Sequence, residues 1–371
     1  MRPGKRWVRV GVVLGIVGGF GSLVAWSSRE RMPARLVLKA PEKSRPEGFT
    51  PDGRSFLTLS PEGMVFWDVA GGRPRRPWSL LSFPVSDFSK DGKTCLGVHG
   101  YSFDDATIGL VDVASGSFRA RFSSRFPNVL RLSFGDEGRS IRAFLGDRDS
   151  SLREVVTWDI ASGLETRRPV SGPKGPGFFG QRPGGISPDG RTLAYLDESQ
   201  NGVQLWDVEA DQAIGGLLRT PTTRLIPWAG AAFTPDNQRL VVSRSDGCVE
   251  SWNLADRRLI RIIEVHPDGF TSNNLQISPD GRTLASTGQF FGTPTGVDRV
   301  LFAVRKLIEG GNRRAFDDEV VVVNLDTGRR LARWPGSVHP TFSPDGRTIV
   351  TQEWDGTFSI RDAPQPTASG Q

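Results

Sequence analysis

The stretch ISPDGRTLA, residues 186–194, returns letter for letter at residues 277–285, and FSPDGRTIV at residues 342–350 is a near copy. Ser-Pro-Asp-Gly is turn chemistry. Pro presets the φ needed at the second position of a type I turn, and Asp bonds its own backbone at the third. Gly then takes a left-handed conformation that a β-carbon resists. Apolar residues flank the turn on both sides, so the stretch reads as a corner between two short strands.

A repeated corner implies a repeated hairpin. Seven corners begin at Phe49, Phe88, Phe134, Ile186, Phe233, Ile277 and Phe342. In the fifth, Asn237 stands where the others have Gly; Asn is the side chain that best tolerates the left-handed region. A second signal follows each corner. It reads Phe66-Trp67-Asp68-Val69, Leu110-Val111-Asp112-Val113, Thr157-Trp158-Asp159-Ile160, Leu205-Trp206-Asp207-Val208, Ser251-Trp252-Asn253-Leu254, Val322-Val323-Asn324-Leu325 and Ile360-Arg361-Asp362-Ala363. Each unit is thus strand, corner, strand, turn, strand ending in Trp-Asp, turn, strand. Four strands every ~40–45 residues is the signature of a propeller blade.

On these residues the chain resembles the WD-repeat family of β-propellers from about Arg35 to Ala363. Tol-system propellers share the Pro-Asp-Gly corners, but the Trp-Asp endings at Trp67, Trp158 and Trp206 favour the WD type. No repeat carries the Gly-His pair that opens a WD unit, and the turn Asp before the third strand is clear only at Asp246 and Asp355. The buried hydrogen-bond tetrad of that family is therefore expected to be incomplete. The resemblance implies an all-β, seven-bladed β-propeller of four-stranded antiparallel blades, spanning residues 34–363. It also implies that residues 34–40 supply the missing outer strand of the last blade and close the ring. Residues 288–319 read as an insert in blade six, with Val297, Val300, Leu301, Val304, Leu307 and Ile308 forming a helical stripe. Residues 364–371 read as a disordered tail.

The first residues lie outside the repeats. Residues 1–6 are a basic tail, residues 7–27 are nearly all apolar, and residues 28–33 are a linker. Trp7–Trp26 reads as an N-terminal transmembrane helix, an uncleaved anchor with Trp at both interfaces. The expected placement is a single-pass membrane protein with its propeller on the non-cytoplasmic side. The alternative is a secreted or periplasmic protein, released by cleavage at Ala25-Trp26-Ser27. Gly11, Gly15 and Gly19 have the spacing that lets two membrane helices pack and self-associate. The net charge of +6 invites a nucleic-acid reading. The first 45 residues, however, hold ten Lys or Arg and two Glu, net +8, leaving 37 basic and 39 acidic residues, net −2, for the rest. A near-neutral ring argues against a nucleic-acid partner.

No catalytic, cofactor-binding or metal-binding constellation is visible. His99, His266 and His339 fall at unrelated positions, Cys95 and Cys248 lie in distant blades, and no phosphate loop or nucleophile elbow appears. The acidic pairs Asp104-Asp105 and Asp317-Asp318-Glu319 read as surface ion partners. The first strands look mostly apolar, which disfavours a channel enzyme. The expectation is a non-catalytic, membrane-tethered platform for protein partners; the alternative is an enzyme or small-ligand binder with a site in the central channel. The long loops fall on one face, with aromatic tips. Tyr101, Phe103, Phe178, Phe179, Phe290, Phe291 and Trp354 are the candidate partner contacts.

Overall fold

The computed structural model describes residues 32–75, 84–101, 106–124, 128–146, 152–171, 185–197, 202–219, 230–244, 246–267, 270–290 and 318–366. These form seven antiparallel sheets, one per corner. After β1 (Leu36–Leu38), blade 1 is built from β2 (Arg45–Phe49), β3 (Ser55–Ser60) and β4 (Gly63–Asp68). Blade 2 is β5 (Val85–Phe88), β6 (Thr94–Tyr101), β7 (Ala106–Asp112) and β8 (Phe118–Ser124). Blade 3 is β9 (Asn128–Gly135), β10 (Ser140–Gly146), β11 (Leu152–Asp159) and β12 (Glu165–Pro169). Blade 4 is β13 (Thr192–Asp197), β14 (Gly202–Asp207) and β15 (Gln212–Arg219). Blade 5 is β16 (Ala231–Phe233), β17 (Arg239–Ser243), β18 (Cys248–Asn253) and β19 (Leu259–Glu264). Blade 6 is β20 (Phe270–Ile277), β21 (Thr283–Phe290), β22 (Asp318–Asn324) and β23 (Arg330–Pro335). Blade 7 is β24 (Ser337–Phe342), β25 (Thr348–Glu353) and β26 (Phe358–Asp362), with β1 as its outer strand.

Among the described residues, the sheets of blades 1 and 4 have three strands each. The described part of the outer strand of blade 1 is a bridge between Trp67 and Pro74, and that of the inner strand of blade 4 a bridge between Ile186 and Leu193; residues 76–83 and 172–184 lie outside the described residues. In blade 7, Leu36, Val37 and Leu38 pair with Ile360, Ser359 and Phe358. The chain thus returns to its own beginning, and the exposed edge of β26 is covered.

The corners hold because their polar groups satisfy one another. In six of them a Ser or Thr hydroxyl donates to the Asp two residues on. The same oxygen accepts the backbone N–H five residues on. The next residue has positive φ: Gly53 at 68°, Gly190 at 69°, and Asn237 at 57° where Gly is missing. The third corner lacks both the hydroxyl and the Asp. It closes as a short 3-10 turn, Asp136–Gly138, with Glu137 at φ 56°.

Second and third strands form the core. Along β3 every residue is buried, and Leu57, Leu96, Ala194, Val241, Ala285 and Val350, one in each blade but the third, are at most 1% exposed. Each of these packs against apolar residues of the following blade; Leu57, for example, meets Val85 and Phe88. The hydrophobic effect therefore acts between blades as much as within them.

Several expectations need correction. The single-pass membrane placement is withdrawn: no helix among the described residues is long and apolar enough to cross a membrane. The segment on which that reading rested, residues 7–27, lies outside the described residues, as do Gly11, Gly15 and Gly19. The insert in blade 6 is shorter than residues 288–319, because β21 continues to Phe290 and β22 starts at Asp318. Its helical stripe also lies outside the described residues, as do residues 367–371 of the tail.

Candidate functional site

Turns joining second to third strands, and connections from one blade to the next, share one face of the ring. Three of the aromatic residues proposed as partner contacts reach it. Tyr101 ends β6, Phe290 ends β21, and Trp354 follows β25, so each sits at the carboxyl end of a second strand. Phe103, Phe178, Phe179 and Phe291 lie outside the described residues.

Trp354 is 71% exposed, although its backbone is firmly held. Its N–H donates to the Gly336 carbonyl at 3.0 Å. Glu353 N–H donates to Thr357 O at 2.8 Å, and Gly356 N–H to Glu353 O at 2.9 Å. Asp355 Oδ1 accepts from both the N–H and the hydroxyl of Thr357. Beneath the turn, Glu353 accepts from Ser337 Oγ (2.8 Å), Thr351 Oγ1 (2.9 Å) and Arg361 Nη2 (3.1 Å). Arg361 occupies the place that Trp takes in other repeats, donates to Thr351 and lies over the Trp334 ring at 4.9 Å. An indole is thus presented to solvent on a braced turn.

The central channel is more polar than the sequence suggested. Glu47 accepts from Val85 N–H of the next blade (3.1 Å) and from Arg45 Nε (3.1 Å). Burial pushes the Glu47 carboxyl up to about 7, against the opposing pull of Arg45. Asp87 accepts from its neighbour Phe88 N–H and from Phe134 N–H of blade 3, each at 2.8 Å. Burial raises its pKa as well. Arg131 donates to the carbonyls of Ile186 (2.9 Å), Ser187 (2.6 Å) and Pro188 (3.0 Å) of blade 4. Asn274 Nδ2 donates to His339 Nδ1 at 2.6 Å across the seam of blades 6 and 7, and His339 N–H donates to Thr287 Oγ1. These groups do not converge on one reacting point. They stitch inner strands to neighbouring blades.

A buried cluster in blade 6 escaped the sequence reading. His266 precedes the blade and is fully buried. A carboxylate only accepts, so His266 Nδ1–H donates to Glu319 Oε1 (2.9 Å), while Nε2 faces Ser286 Oγ (3.1 Å). Arg333 Nε donates to Glu319 Oε2 at 2.6 Å. Burial alone would raise the Glu319 pKa, but the His266 hydrogen bond and the Arg333 charge bring it below the ordinary value. Glu319 is therefore not the surface ion partner expected of Asp317-Asp318-Glu319. It anchors a hydrogen-bond network of the kind the missing Gly-His pairs seemed to forbid. Blade 1 keeps a related bond, Trp67 Nε1 to Thr58 Oγ1 at 2.8 Å, and in blade 5 Trp252 Nε1 donates to Glu250 Oε2 at 3.1 Å.

Cys95 and Cys248 are both free, and burial pushes their thiols up to about 12 and about 11. Neither is a poised nucleophile. Among the described residues no three His, Cys, Asp or Glu side chains are placed to hold a metal ion.

Fold and site together define a seven-bladed β-propeller. No family model matches the sequence. Over 104 residues the chain is 32% identical to the protein Groucho of Drosophila melanogaster, a WD-repeat protein. The similar stretch is 28% of this chain and 13% of Groucho. This similarity supports the WD-repeat resemblance read in the Trp-Asp endings.

Proposed function

We propose that the propeller is a non-catalytic platform that binds protein partners through the face carrying the second-to-third-strand turns. The observation that carries this reading is Trp354, a large aromatic side chain that faces solvent from a turn held by backbone and carboxylate hydrogen bonds. Rigid exposed aromatics lose little entropy on binding and anchor interfaces disproportionately. Tyr101, Phe103, Phe178, Phe179, Phe290 and Phe291 complete the proposed set of anchors. WD-repeat propellers are typically non-catalytic, which agrees with this reading. So does the engagement of Glu47, Asp87 and Arg131 by neighbouring backbone. A channel enzyme would need those groups free.

The test compares wild type with Trp354→Ser, alone and combined with Ser at Phe178, Phe179, Phe290 and Phe291. Proteins captured from extract of the native source are identified by mass spectrometry, and folding is followed by circular dichroism. The combined variant should fold and lose the captured partners. Full capture by the folded variant would move the binding surface elsewhere.

A further inference from the structure

The second strands share one rule with one exception. The residue eight places after the start of each corner faces the next blade, and it is Leu57, Leu96, Ala194, Val241, Ala285 or Val350 in six blades. In blade 3 it is Arg142. Its neighbours across the sheet are Ser133 on β9 and Thr157 on β11, and Thr157 pairs in turn with Thr166 on β12. One face of blade 3 thus carries a continuous polar row where the corresponding cross-strand pairs in blades 1, 2 and 7 are Leu57–Phe66, Leu96–Leu110 and Val350–Ile360.

The row does not pack on blade 4. It lines a cavity of about 720 Å³, closed on the far side by Asp189, Gly190 and Glu209. Arg142 lies over the Phe144 ring at 5.1 Å and, among the described residues, makes no hydrogen bond or ion pair. Arg168 also lines the cavity, held by donation of its Nη1 to the Glu209 carbonyl at 2.8 Å. Burial lowers the pKa of Arg142, and the charges of Arg168 and Arg191 lower it further, only partly offset by Glu209 and Asp189. A half-buried guanidinium with a ring contact but no hydrogen-bond acceptor or counter-charge in contact among the described residues costs stability, and an apolar residue would suit the seam better. A position that breaks a rule of its own fold without structural return marks a binding site.

We propose that the groove between blades 3 and 4 is a binding site for a small hydroxylated oxyanion, a sugar acid or sugar phosphate. The anionic group meets Arg142 and Arg168, whose forked donors suit carboxylate and phosphate alike. The ligand hydroxyls meet the hydroxyl row of Ser133, Thr157 and Thr166. They also meet Asp189, which its bonds from Ser187 Oγ and Arg191 N–H keep ionised and accepting. The volume lies in the range of small-molecule sites and exceeds what a bare anion fills. The groove opens beside the Pro-Asp-Gly corners, on the face opposite Trp354, so this site is independent of the platform reading.

The test uses the full chain and calorimetric titration with D-glucuronate, glucose 6-phosphate, inorganic phosphate and glucose. The first two should bind with Kd of about 1 mM or tighter, and phosphate and glucose at least about ten-fold more weakly. Arg142→Leu, which installs the residue of blades 1 and 2, should cost about ten-fold or more in affinity, as loss of a charged hydrogen bond does. It should also raise the unliganded melting temperature, because it removes the unpaired charge. Thr157→Val, nearly equal in volume, should weaken glucuronate binding several-fold and serves should Arg142→Leu fail to fold. No binding of either sugar anion at about 10 mM, or unchanged affinity in the folded variants, would overturn the proposal. So would inorganic phosphate binding as tightly as glucose 6-phosphate.

Discussion

Gly288 has no room for a β-carbon. One built there would lie 2.3 Å from His266 Nδ1, the atom that holds Glu319. The backbone of β21 is pressed against an imidazole that is itself fixed from two sides. Gly288→Ala should therefore displace the ring, weaken its bond to Glu319 and lower unfolding free energy by about 1–3 kcal/mol, the usual cost of overpacking. The urea midpoint measures it, and an unchanged midpoint would show that His266 relocates freely. Nothing near His266 in the sequence announces this arrangement. Its partners Ser286 and Glu319 are 20 and 53 residues away. The WD signal that could have pointed to it is a His in the connection before a blade, and here it follows Val265 instead of Gly. Trp354 was legible because its turn is local: Asp355 and Gly356 stand beside it in the sequence.

Corners were readable for the same reason. Hydroxyl, Asp and Gly lie within a few residues of one another, so their chemistry is written in adjacent letters. Strand ends were less so. β21 reaches Phe290, where the sequence suggested an insert from residue 288. A strand stops where its partner stops, and β22 pairs as far as Gln289 with Asp318. Pro74 is tolerated beside β4 because it faces Trp67 at a non-hydrogen-bonded position, and the pairing passes it through Asp68 N–H to Arg73 O and Arg75 N–H to Phe66 O. β1 presents the opposite case, a short strand with large consequences. Leu38 is 1% exposed and packs in one cluster with Phe49, Phe56, Phe358 and Ile360 of blades 1 and 7. Arg35 N–H donates to Ile360 O at 2.8 Å, extending the pairing. Deleting residues 1–40 should uncover β26 and remove two Leu side chains from the seam, lowering the melting temperature on the order of 5–10 °C. Calorimetry of the truncated chain checks this, and an unshifted transition would show that the ring closes without β1.

The ring as a whole is held by apolar seams and by polar links that no local pattern reveals. Residue 47 meets residue 85, residue 87 meets residue 134, and residue 131 meets residues 186–188. These links run from the inner strand of one blade to the next, from blade 1 through blade 4, so this part of the ring is tied by side-chain-to-backbone bonds across blades. The sequence carried the number of blades but not these links, because the bulges that aim the side chains arise only when inner strands pair. Two of these links make the ring sensitive to pH in the same sense, because burial raises the pKa of Asp87 as well as that of Glu47, and Glu47 is the larger case. The Glu47 side chain is 6% exposed, and burial raises its pKa from 4.5 to about 7. In the unfolded chain Glu47 gives up its proton near 4.5, whereas the folded ring retains it. The contribution to stability is thus fully present below pH 4.5 and is lost as pH rises through about 7, by up to about 3 kcal/mol. The corner carboxylates Asp52, Asp189, Asp236 and Asp345 act in the opposite sense. Their pKa values are lowered in the fold, so their contribution is present above the ordinary 3.8 and is lost only as pH falls through the lowered values. Glu47→Gln keeps an oxygen to accept Val85 N–H and has no charge to bury. Relative to wild type it should gain stability at pH 8, gain little at pH 4.5, and show a flatter melting temperature between these limits. Parallel slopes for the two proteins across that range would mean that Glu47 ionises freely in the folded ring and that the seam of blades 1 and 2 does not sense pH.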